Sequence, residues 1–202
     1  LEAVVRAILL DTEARAAPTG TATATAGKIK EPLLRLTQFW RAYDGKSNGV
    51  NGAIRYGAAV NFPGGVTAVF GEGPGLSPSV FNFYRPGYVA PGTQASAAGL
   101  VVPEMQIVHE TTVAGYVNYM RDNIAQGVGQ FNSSTSRRDL QADFSAELAL
   151  ADQPAALIDR INAKLMGGVM PPELKTEIQG AIEKMVIPVL NGTGSNSRQV
   201  ND

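Results

Sequence analysis

The sequence predicts a mainly helical protein, a multi-helix domain carrying a long irregular loop layer, with room for one short β-hairpin. Three observations predict it. Apolar residues recur at three-and-four spacing in several separate stretches, the mark of helices that bury one face. Prolines stand at Pro32, Pro103, Pro154 and Pro171, where helices can begin and the missing N–H costs nothing. Between Asp44 and Val102 the pattern gives way to glycine, asparagine and proline, the residues of turns.

The elements follow in order. Leu1–Ala16 reads as one amphipathic helix with Val4, Val5, Ile8 and Leu9 as its stripe. "PTGTATATAG", Pro18 to Gly27, is a small-residue linker expected to be exposed and mobile. Glu31–Tyr43, "EPLLRLTQFWRAY", is the next helix; Leu33, Leu36, Phe39, Trp40 and Tyr43 share its face, and core packing explains that stripe. Within residues 44–102, "AIRYGAAV" and "VTAVF" flank "NFPGG" as the arms of a hairpin. Pro103 to about Gln126 predicts one long helix bearing Met105, Val108, Thr112, Tyr116, Tyr119 and Met120, ended by "GVGQFNSSTSRR". Three more helices are predicted at Asp139–Ala151, Pro154–Met166 and Pro171 to about Ile187. Their short connections favour antiparallel neighbours. The expected organisation is a single helical domain over 1–202: helical 1–43, irregular 44–102, helical 103–190 and a flexible tail 191–202. The chain opens in mid-helix without Met and closes on "NGTGSNSRQVND", so it is expected to be a fragment of a longer protein.

Composition narrows the function classes. The 202 residues are 44% hydrophobic, with Lys+Arg 17, Asp+Glu 18 and a formal charge of -1. That balance argues against an electrostatic grip on nucleic acid or on an anionic membrane. There are no cysteines, which excludes disulfides, thiolate nucleophiles and Cys-based zinc sites. No run approaches the roughly 18 apolar residues of a membrane helix. With one histidine, only oxygen-rich ligand sets remain, better suited to calcium or magnesium than zinc. No structural metal and no cofactor are expected.

Few residues announce chemistry. "GEGPG", Gly71 to Gly75, lacks the Lys-Ser/Thr of a phosphate loop, and Pro74 interrupts it before any helix. His109 lies in "HETTV", which is not the H-E-x-x-H of metalloproteases because position 113 is Val. On a helix, His109 and Glu110 point about 100 degrees apart and form no local ligand pair; a structural histidine is the simpler reading. No G-x-S-x-G elbow nominates a serine. Carboxylate pairs meet in space rather than in sequence, and Glu104, Glu110 and Asp44 are the first to check. "SVFNFYRPGY", Ser79 to Tyr88, packs four aromatics around Asn82 and Arg85 and turns on Pro86-Gly87. Pro then Gly fits the centre of a type II turn. The stretch reads as a structural wedge, with Phe81 and Phe83 or Tyr84 buried and Arg85 meeting Glu31, Glu104 or Glu110; a carbohydrate platform is the other reading of the same residues.

"GKIKEPLLRLTQFWRAY", "SPSVFNFYRPGYVAPG" and "AAGLVVPEMQIVHETTVAGYVNYM", in that order and spacing, resemble the C-terminal portion of the bacterial domain-of-unknown-function family 1800. "LEAVVRAILLDTEAR" is similar to the helix preceding that family's Gly-Lys-x-x-Glu-Pro element. The resemblance covers about Leu1 to Asn123 and, more weakly, the helical remainder. Matching positions are Lys28, Glu31, Pro32, Arg35, Phe81, Asn82, Arg85, Pro86, Gly87, Glu104 and Glu110; the segment from Ala53 to Gly73 is longer than the family's usual one. The resemblance implies a larger exported protein, periplasmic or extracellular, often found beside a second exported protein. It carries no established activity and no catalytic residue.

Two functions follow. The first is a helical scaffold that binds an exported partner protein or an extracellular polymer, without nucleic acid and without a transmembrane segment. The second is an exported carboxylate-dependent hydrolase acting on a polymer or glycan, with Glu104, Glu110, His109 and Arg85 as cleft candidates. The structural motif expected in either case is Phe81, Asn82, Phe83, Tyr84, Arg85, Pro86, Gly87 and Glu31.

Overall fold

The computed structural model describes residues 1–16, 27, 29–47, 65–133 and 137–185. The linker up to Ala26, Lys28, the predicted hairpin's first arm and turn through Gly64, and the polar tail lie outside the described residues. The chain separates into two compact units: Leu1–Lys30 with Tyr84–Gln106, and Glu31–Phe83 with Ile107–Asp202.

In the first unit the predicted opening helix is two helices, α1 (Glu2–Leu10) and α2 (Thr12–Arg15). Asp11 leaves the helical region, at φ -57 and ψ 139, in keeping with the competition an aspartate side chain offers to helical backbone. The α1 stripe of Val4, Val5, Ile8 and Leu9 is exposed. Further on, Thr93 caps the short α3 (Gln94–Ala97), exchanging hydrogen bonds with Ser96 in a capping box. Val102 N–H donates to Tyr88 O at 3.0 Å and closes the intervening loop.

The second unit holds the core. Its α4 (Pro32–Ala42) starts on Pro32 as predicted. Leu36, Phe39, Trp40 and Tyr43 are buried, and Phe39 stacks edge-on against Trp40 with ring centroids 5.1 Å apart. A two-residue strand, β1 (Lys46–Ser47), follows. "VTAVF" is not a strand but a helix, α5 (Val66–Phe70). Packing overrides its β-branched composition: Phe70 is fully buried, 5.2 Å from the Tyr119 ring. Gly115 makes that approach possible, since a Cβ there would stand 3.1 Å from Val69 Cα.

The long helix predicted from Pro103 is interrupted. Pro103–Ile107 is a 3-10 turn, Val108 belongs to no helix, His109 is extended at φ -141 and ψ 173, and α6 runs Glu110–Gln126. Thr112 makes the break: its Oγ1 accepts the His109 N–H at 3.0 Å and donates to Ile107 O at 2.8 Å. A hairpin does form, but in "GVGQFNSSTSRR" and the residues after it. Strands β2 (Val128–Asn132) and β3 (Arg137–Gln141) pair antiparallel, and β1 adds to β3, giving the order β1-β3-β2. The helix predicted over Asp139–Ala151 therefore shrinks to α7 (Ser145–Leu148), because residues to Gln141 are committed to the ladder. Then α8 spans Pro154–Met166, as predicted, and α9 spans Pro172–Ile182. Gln38 Nε2 donates to Leu165 O at 2.9 Å and ties α4 to α8. Among the described residues, no helix is long and apolar enough to cross a membrane.

Candidate functional site

Two buried glutamates are the chemically distinctive side chains of the second unit. Glu72 is positioned by the end of α5, where Gly71 takes the left-handed conformation at φ 74. The turn it makes is tight, with a Cβ at Gly71 only 2.6 Å from Ile107 O, so a side chain there would collide with backbone. Beyond it, Glu72 Oε1 accepts the Leu33 N–H at 2.9 Å. This N–H is one of the orphan donors at the start of α4, so Glu72 caps that helix from a distance in sequence. Glu72 is 4% exposed. Burial holds its pKa above the usual carboxylate range against the Leu33 hydrogen bond, and the Glu31 charge adds to the rise. On the same first turns of α4, the Arg35 guanidinium lies 5.6 Å from the centre of the Tyr116 ring.

Glu147, in α7, is 7% exposed. Its Oε1 receives Arg160 Nε at 2.6 Å and Lys164 Nζ at 2.8 Å. Those cations are one turn apart on α8 and so share a face. Burial pushes the Glu147 pKa up, but the hydrogen bonds and charges of Lys164 and Arg160 together outweigh it and hold the group below the usual range. Lys164 Nζ also sits 4.4 Å over the Tyr43 ring. Burial first, then the Glu147 charge, raises the Tyr43 pKa. The two glutamates illustrate opposite outcomes of burial: one carboxylate is matched by two cations, the other meets a helix end.

The residues singled out from sequence fall elsewhere. Arg85 and Glu104 belong to the first unit, His109 and Glu110 to the second. Arg85 is exposed, and its backbone N–H donates to Gln106 Oε1 at 2.7 Å. Glu104 is the one expected partner in the same unit, and Arg85 makes no ion pair with it: its side chain faces solvent, which corrects that pairing, while Glu31 and Glu110 belong to the other unit. Glu104 is half-buried in the 3-10 turn, and Glu110 is exposed in the first turn of α6. His109 is the helix's N-cap residue, exposed, with Nδ1 2.9 Å from Thr111 Oγ1. Asp44 is exposed, at φ 46.

The wedge is corrected too. Phe81 is 75% exposed, while Phe83 and Tyr84 are half-buried. The physical reason is a turn: Asn82 N–H donates to Ser79 O at 3.2 Å, which puts Val80 and Phe81 at its tip. Pro86-Gly87 does turn, with Tyr88 N–H on Arg85 O at 3.1 Å. Gly87 lacks the positive φ that a type II turn demands. Gly75 and Gly92, each after a proline, have it, at φ 72 and 71.

A second apolar surface lies on α6. Val113, Val117 and Ile124 are 49%, 58% and 48% exposed, and spacings of four and seven put them on one flank of the helix. The adjoining face carries buried Thr112, Tyr119 and Asn123. Among the described residues, no group of three or more His, Asp or Glu is placed to hold a metal ion.

The fold defines a mainly helical protein with a small antiparallel sheet. The chain belongs to the family described as protein of unknown function, DUF1800, whose model matches residues 1–189. The match runs past Asn123 and takes in the helical remainder. No curated protein and no solved structure matches the chain.

Proposed function

We propose that the protein is an exported, non-enzymatic helical scaffold that docks a partner protein along the open flank of α6. The observation that carries this reading is the stripe of Val113, Val117 and Ile124, left exposed beside a buried face on the same 17-residue helix. An isolated surface valine needs no explanation, whereas an aligned apolar stripe marks a surface that a partner covers. Export rests on the family resemblance, which also supports a second exported protein as the partner, ahead of an extracellular polymer. The test is a photo-crosslinking residue at position 117 in the native host. One defined protein crosslinked there, and none from a matched exposed polar position such as Asn118, is the expected result. Absence of any crosslink from 113, 117 and 124 contradicts it.

A carboxylate-dependent hydrolase remains the second reading, favoured by one observation: burial raises the Glu72 pKa, the direction that general-acid work requires. Against it, the same carboxylate is engaged in capping α4. Loss of polymer hydrolysis in Glu72→Gln, with the fold intact, would establish this reading over the scaffold.

A further inference from the structure

The loop from Leu76 to Asn82 is separate from the α6 flank and presents different chemistry. We propose that it is a shallow membrane-insertion loop, seating Val80 and Phe81 in the interfacial region of a lipid bilayer. Three features carry the inference. The first is exposure: Val80 is 94% and Phe81 75% exposed at the centre of one turn, with Leu76, 54% exposed, at its shoulder. Two adjacent bulky apolar side chains at a convex tip have nothing of their own unit to pack against. The second is how the backbone is satisfied. Asn82 N–H donates to Ser79 O at 3.2 Å and Phe81 N–H to Ser79 Oγ at 3.1 Å. These two bonds leave fewer polar backbone groups to lose water as the tip approaches the headgroup region. Asn82 completes the turn at φ 69, a conformation that asparagine tolerates better than most residues. The third is charge. From Gly73 to Pro103 the chain has no acidic residue, and Arg85 is its only charge. The loop from Leu76 to Asn82 is itself uncharged, so nothing in it is repelled by anionic headgroups.

A folded partner would have to supply a socket shaped to a two-residue tip. A bilayer needs only the three features present. The insertion is apolar and shallow, so it is compatible with the balanced net charge, and two side chains make it weak and reversible.

The test uses the full chain and vesicles of phosphatidylcholine, with and without phosphatidylglycerol. Phe81→Trp provides the probe, because the protein's own Trp40 is buried at 8% exposure and gives a constant background. Its emission should shift to the blue at millimolar lipid and be quenched by lipids brominated near the headgroup. The double variant Val80→Ser, Phe81→Ser should lower vesicle co-sedimentation at least about tenfold, with its melting temperature unchanged. Emission from Trp at 81 that ignores lipid, or equal co-sedimentation of the double variant, overturns the proposal. If lipid has no effect while the double variant loses a bound protein, the tip is a protein contact and the proposal is likewise wrong. Because the α6 stripe is untouched by these variants, failure here leaves the docking reading standing.

Discussion

The second unit uses the same kind of residue in two opposite ways. Along α4 and at its end, Leu36, Phe39, Trp40 and Tyr43 recur at helical spacing and are all buried. In the turn from Ser79 to Asn82, Val80 and Phe81 stand in solvent. The contrast teaches that aromatic content alone does not mark a core. Helical periodicity collects apolar side chains on one face, where a second element can cover them. A tight turn splays them outward, and hydrogen bonds to Ser79 hold them there.

The largest expected effect comes from the buried side. Phe39→Ala removes a ring that touches Trp40, Tyr43 and Phe144, and should cost about 3–5 kcal/mol. In thermal unfolding that is a drop of roughly 10 °C. A drop of a degree or two would break the comparison at its first term. Gly115→Ala comes next. The new methyl meets the Val69 backbone, and overpacking of this kind costs about 1–3 kcal/mol. Chemical denaturation checks it, and an unchanged midpoint would mean that α5 and α6 are less closely apposed.

The two glutamates sharpen the comparison through pH. The Glu147 pKa is lowered in the fold, so its contribution is present above the unfolded value and is lost as pH falls through the folded one. Glu147→Gln should cost about 1–3 kcal/mol at neutral pH, discounted because both cations are partly exposed, and the cost should shrink in acid. The Glu72 pKa is raised. Its favourable contribution is complete below the unfolded value and is lost as pH rises through the folded one, so the ionised form is the costly one. Glu72→Gln keeps an acceptor for Leu33 N–H and should be at least as stable as the parent at neutral pH. Melting curves across pH 3 to about 8, a span that brackets ordinary carboxylate pKa values, distinguish the two signs. A similar pH dependence for both variants would contradict the account. The smallest effect belongs to Phe81→Ala, which should stay within about 0.5 kcal/mol of the parent.

Much of the helical frame was legible in the sequence. Pro154–Met166 and the helix starting at Pro32 follow directly from proline position and apolar spacing. The strands were not legible, because "GVGQFN" and "RRDLQ" lack clean alternation and the ladder carries an irregularity between Val128 and Phe131. The break before α6 turns on one hydroxyl, Thr112, whose partners are backbone groups that periodicity does not reveal. The buried glutamates were missed for different reasons. Glu72 is the only acid between Asp44 and Glu104, a signal that was there to be read. Glu147 meets Arg160 and Lys164 only through folding, although the four-residue spacing of those cations shows that they share a face.

Under the proposed function, the exposed apolar side chains on α6 serve recognition while the buried ones serve the fold. The most direct test is co-purification of the native partner with the double variant Val113→Asp, Val117→Asp, compared with the parent protein. Loss of the partner is expected from a variant that melts at the parent's temperature, since both positions are about half exposed. A folded variant that retains its partner in full would contradict that function.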